Sequence, residues 1–220
     1  MLKKFTVIDF LHRYVLFIIG LFLNAAGVAV VTKAALGTSP LAAIPYSMSL
    51  VLPHFSLGQW TIIFSLLLII CQIVIERKAL NWFQLILQTT ISFAFGDLID
   101  LAMNWLQNLT ISAYWQSLLY LLCGCLIISL GAYFEVIADV AMLPGDAFVR
   151  ALSRKFQQNY GKLRVISDIS MSLIGALICL IWLHNLQGVR EGTLISALLV
   201  GNLVKYLLKK LLPVTRWLLQ

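Results

Sequence analysis

The chain has 220 residues, 61% of them hydrophobic and only 11% charged, with a mean hydropathy of +0.94. A soluble domain carries roughly a quarter charged residues, so the composition excludes a soluble protein and points to one membrane domain over residues 1–220. The net charge of +7 would raise the question of nucleic acid in a soluble protein. Here basic loops on one side of a bilayer explain it more simply, and no nucleic-acid partner is expected.

Lys3, Lys4 and Arg13 precede the first apolar run. That run is too long for a secretory leader, and Lys33 stands where small residues would precede cleavage, so it reads as a retained span. Six spans follow from length and hydropathy: Tyr14–Thr32, Leu57–Ile75, Trp82–Met103, Trp115–Ile137, Val165–Leu183 and Thr193–Leu208. With the N-terminus inside, Lys33 and Arg190 are the outer cations and fourteen others lie inside, Lys78 and Arg216 among them. This bias predicts a multi-pass protein with both termini cytoplasmic. Trp60, Trp82, Trp105, Trp115 and Trp182 mark span ends, and Trp217 lies in the basic tail. Cys71, Cys123, Cys125 and Cys179 all fall inside apolar runs without a CxxC pair, which reads as packing.

Two stretches interrupt the pattern. In LGTSP, Gly37 allows a turn, Ser39 is placed to cap a helix and Pro40 to begin it. The apolar stretch that follows is punctuated by Pro45 and Pro53 and is too short to span, so it predicts a half-helix or an interfacial segment on the outer side. Its free N–H groups would face an anion near Thr38 and Ser39, or simply cap a loop helix. The second interruption is Pro144-Gly145-Asp146. After it, Ala147, Phe148, Ala151, Leu152 and Phe156 share one face, with Arg150, Arg154 and Lys155 off it. This pattern suits a helix lying on anionic lipid at the cytoplasmic surface, with Asp146 able to cap its start.

Ionisable groups inside spans are costly and therefore functional candidates. Glu135 lies in the fourth span, with Asp139 one turn on. Arg164, Asp168 and Ser172 share a helix face, which predicts an ion pair. Gln84, Gln88, Ser92, Gly96 and Asp100 recur at every fourth residue of the third span, flanked by Thr89 and Asp97. That side faces water or other helices, not lipid. Arg190 and Glu191 sit in a glycine-flanked turn, Thr193 can cap the last span, and Ala197 and Gly201 suit close helix packing. His12, His54 and His184, each near a span end, read as interfacial.

Glycines repeat at a nearly constant interval. Gly20 and Gly27 match Gly124 and Gly131 at an offset of 104; Gly58 matches Gly161 at 103; Gly96-Asp97 matches Gly201-Asn202 at 105. Two halves result, about 14–105 and 114–210, each with a span, a short helix and two more spans. Three spans is an odd number, so the halves would be inverted, as in many secondary transporters, although duplication can also give a bundle that transports nothing. No hydrolase, metalloprotease, phosphate-loop or dinucleotide motif occurs, so no enzyme, cofactor or metal is expected.

The stretches LGTSP, LPGDAFVRALS, YGKLRVISDISMSLIG and GVREGTLISALLVG resemble the YczE/YyaS group of small bacterial membrane proteins, related to the YitT type. One departure is Gly201-Asn202, where Gly-Pro would be expected. The resemblance implies a bacterial plasma-membrane protein and adds weight to Thr38, Ser39, Asp146, Arg164, Asp168, Arg190 and Glu191. It supplies no substrate.

The expected fold is all-α, a six-span bundle of two inverted halves enclosing one polar interior. The expected function is secondary transport of a small polar or anionic solute. Thr38, Ser39, Gln88, Ser92, Arg164 and Arg190 would bind it, and Glu135, Asp168, Asp97, Asp100, Asp146 and Glu191 would couple or gate. The alternative is a scaffold docking a cytoplasmic partner on residues 147–157. Lipid is a partner in either case, and a homodimer is compatible with both.

Overall fold

Long apolar runs in a bilayer must satisfy their backbone internally, and helices do so within one segment. The computed structural model describes residues 7–77 and 81–211. Lys3, Lys4, Lys78, Arg216 and Trp217 lie outside the described residues. Eight α-helices occur among them: α1 (Val7–Lys33), α2 (Ala43–Val51), α3 (Leu57–Glu76), α4 (Trp82–Trp105), α5 (Tyr114–Ala138), α6 (Pro144–Phe156), α7 (Tyr160–Leu183) and α8 (Glu191–Lys210). Six are long and apolar enough to cross a membrane. They coincide with the six expected spans.

Local chemistry sets the boundaries. Ser56 and Gln59 form a reciprocal capping box at the start of α3. Asn159 accepts from the Gly161 N–H at 2.8 Å, which starts α7 earlier than hydropathy alone suggests. Arg77, Asp139, Gln157 and His184 end α3, α5, α6 and α7 with positive φ. Glycine usually takes that position.

α1 and α5 form the centre. They cross on small residues: a Cβ on Gly20 would lie 2.8 Å from the Gly131 carbonyl, and one on Gly27 3.0 Å from that of Gly124. The earlier glycine of one helix meets the later one of the other, so the two helices run antiparallel. α4 packs on α1 and α8 on α5; α2 packs on α7 and α6 on α3. α3 packs along α4, whereas α7 and α8 barely touch.

The stretch after α1 forms a 3-10 turn, Pro40–Ala42, that leads into α2. Pro45 sits in the first turn of α2, where its missing N–H costs nothing, and does not interrupt it. Ser39 holds the cap position without a side-chain cap bond. The start of α2 packs on α7 at Gly175, and Ser47 reaches Gly188 beyond the end of α7. α2 thus climbs from within the bundle to the end away from most of the basic residues.

α6 departs from the expectation of a helix laid on lipid. Pro144, Gly145, Ala147, Val149 and Ala151 are buried, and the helix seats against α3, with Arg154 3.6 Å from Glu76. Its apolar face was needed by the protein, and Phe156 alone of the expected face stands well exposed, at 59%. Leu143 holds the cap position in place of Asp146. A Cβ on Gly145 would meet the Leu41 side chain at 2.5 Å. The two short segments therefore begin side by side and point to opposite ends of the bundle.

Candidate functional site: the cleft between α7 and α8

The polar candidates fall into four places. At the end of α1, Ala35 (φ 57°) and Gly37 (φ 107°) reverse the chain. A Cβ on Gly37 would clash with the Thr193 hydroxyl, and the positive φ alone disfavours other residues, so only glycine fits this turn. Thr38 is fully buried, its hydroxyl 2.9 Å from that of Thr32. Its N–H donates to the Thr193 hydroxyl at 3.2 Å, and Ser196 donates to its carbonyl at 3.3 Å. The Gly192 N–H reaches the Leu36 carbonyl at 2.8 Å. Arg190 donates to the Ala35 carbonyl at 3.2 Å and to Glu191 at 3.1 Å. The first break is thus sewn to the start of the last span.

At the basic end, Arg164 lies between Asp146 and Asp168, 3.2 Å from the latter, and Tyr160 donates to Asp146 at 3.2 Å. The guanidinium is flat and forked, which suits two carboxylates at once. This cluster joins α6 to α7.

Glu135 lies apart, at the α1–α5 crossing. It is 9% exposed and accepts from Asn24 at 3.2 Å. Asn24 was not singled out in the sequence, although a polar residue one turn beyond Gly20 in the first span gave the signal.

The α4 row goes to a fourth place. Gln88 and Ser92 are buried, and Ser92 donates to the Gln88 carbonyl of its own helix at 2.8 Å. Asp100 accepts from the Gly58 N–H at 2.8 Å and from the Ser56 hydroxyl, which fastens α4 across the start of α3. Asp97 is exposed, on one face with Phe93 and Leu101. Glu135, Asp168 and the Gln84–Asp100 row therefore point into different places and do not share one interior.

A cavity of about 890 Å³ lies between α7 and α8 and brings five of the polar residues singled out above, or their neighbours, to its walls. Asp168 and Ser172 face it from α7, and Arg190, Glu191 and Thr193 from the far end. Between them the walls are apolar, built of Ile169, Leu173, Ala176, Leu194, Ala197 and Leu198. Leu173 and Leu198 are 59% and 71% exposed, so the cleft is open along its side. A site of this kind suits a ligand with an apolar body and a polar end. Ile169 and Leu173 were not singled out in the sequence, and nothing in their spacing distinguishes a cleft from a flat face.

Comparison with known proteins agrees with the motifs. An uncharacterised protein of Bacillus subtilis (strain 168), YyaS, is 29% identical over 150 residues, covering 65% of this chain and 71% of that protein. No solved structure matches. A profile described as a family of unknown function, DUF6198, matches residues 11–209. The chain therefore belongs to the DUF6198 family, in keeping with the YczE/YyaS-type group that its motifs resemble.

Proposed function

We propose that the protein is a secondary transporter of the bacterial plasma membrane, built of two inverted halves with both termini in the cytoplasm. The observation that carries this reading is the meeting of the two short segments. Leu41 and Gly145 touch where those segments begin, and α2 and α6 then leave toward opposite ends. Paired half-helix starts inside a bundle offer N–H groups and positive dipole ends to a solute between two opposed halves. The antiparallel glycine crossing of α1 and α5, and the exchange of partners by which α2 seats on α7 and α6 on α3, support the same reading.

The solute class is a small polar or anionic molecule. Glu135, held by Asn24 at the central crossing, is the coupling acid. Arg164, between Asp146 and Asp168, links α6 to α7 and is the gate at the basic end. The test is flux of a panel of small organic and inorganic anions into proteoliposomes. One or more solutes are expected to exchange, with Glu135→Gln abolishing coupled uptake. A folded protein that moves no member of the panel, with or without a proton gradient, would remove the reading.

A further inference from the structure

We propose that the α7–α8 cleft binds an acidic phospholipid, one acyl chain lying along the cleft and the phosphate held at Lys162 and Lys205. The inference goes beyond transport and does not depend on it. Helical spacing extends the α8 wall from Leu194, Ala197 and Leu198 through Gly201 to Lys205 at the basic end. The α7 wall extends from Val165 back to Gly161 and Lys162 in the same direction.

The α7 side of the cleft matches one leaflet, so an acyl chain anchored at the basic end runs along it without reaching the far turn. From Val165 to Ala176 the α7 wall rises about 17 Å, against a half-thickness of about 15 Å for the hydrocarbon core. The turn that carries Arg190 and Glu191 closes the far end. Those two residues pair with each other, and Arg190 also binds the Ala35 carbonyl, so the roof presents little net charge.

Charge selects the other end for the headgroup. Lys162 and Lys205 are exposed and make no ion pair among the described residues. The nearby carboxylates, Asp146 and Asp168, are both engaged by Arg164. Each lysine near an anionic headgroup is worth about 1 kcal/mol. Gly201 adds an independent sign of room. A Cβ there would meet nothing within 4 Å, although a glycine inside a helix is destabilising unless something needs the space.

Native mass spectrometry of protein extracted from nanodiscs of phosphatidylcholine and phosphatidylglycerol tests this. The wild-type protein is expected to retain phosphatidylglycerol in preference. Lys205→Gln lowers retention about fivefold, the factor that ~1 kcal/mol makes. Gly201→Phe, whose side chain enters open space and leaves the fold intact, blocks the chain and lowers retention of both lipids. Equal retention of the two lipids would overturn the proposal, as would wild-type retention in both variants. So would displacement by inorganic phosphate alone, or a dimer that Gly201→Phe splits, which would make the occupant a second copy.

Discussion

The pairs α3–α4 and α7–α8 carry glycines about a hundred residues apart, Gly58 and Gly96 against Gly161 and Gly201, and end up differently. α3 and α4 meet backbone to backbone: a Cβ on Gly96 would lie 2.7 Å from the Gly58 carbonyl. At the matching positions, a Cβ on Gly161 meets only Asn159 and one on Gly201 meets nothing. Close approach alone does not explain the difference, since both pairs carry the glycines for it. The residue one turn further on also differs. Asp100 accepts hydrogen bonds at the start of α3 and ties the pair shut. The matching residue, at the same offset of 105 as Gly96 and Gly201, is Lys205. A lysine accepts no hydrogen bond and cannot repeat the tie that Asp100 makes. The closed pair thus carries a carboxylate where the open pair carries an ammonium.

Four substitutions sharpen or break this contrast. The largest effect is expected from Gly96→Leu, which drives a side chain into Ile62 and the Gly58 backbone. It should cost about 3 kcal/mol or more of unfolding free energy in mixed micelles, and loss of folded protein on extraction is the simplest readout. Asp100→Lys, which gives α4 the residue that α8 carries, should cost about 2 kcal/mol by leaving the Gly58 N–H without its acceptor. Gly201→Ala should change stability in the opposite direction, raising it by about 1 kcal/mol or less, because the methyl meets no neighbour. The same substitution at Gly96 would be destabilising, and equal effects at the two sites would break the contrast. The smallest effect belongs to Gln157→Gly at the end of α6, where a positive φ of 52° is relieved. A gain of a few tenths of a kcal/mol in the same unfolding assay is expected, well below the ~1 kcal/mol that a left-handed residue can cost, because glycine also loses more freedom on folding.

Much of the frame was legible before any coordinates. Length and hydropathy mark all six long helices, because a bilayer of fixed thickness demands runs of fixed length. The Arg164–Asp168 pair follows from spacing alone. The repeated glycines mark places of close approach at α1–α5 and α3–α4. Partner choice was not legible. The periodic row on α4 says that Gln88 and Ser92 avoid lipid, but the same row serves a water-filled path and a helix interface. Here α3 covers it. The amphipathic face of α6 likewise fits lipid or protein, and only the fold assigns it to α3. Glu135 and Asp168 lie on helices that meet different partners, which no local pattern reports.

Disulfide trapping at corresponding positions of the two helix pairs tests the central contrast most directly. In a chain freed of Cys71, Cys123, Cys125 and Cys179, one variant carries Ser56→Cys with Asp100→Cys, and the other Asn159→Cys with Lys205→Cys. A disulfide needs Cα atoms within about 7 Å. The first pair, whose side chains touch in the native protein, should oxidise rapidly and completely. The second should stay reduced, because α7 and α8 stand apart. Equal rates of oxidation in the two variants would contradict the account, since the two helix pairs would then be closed alike.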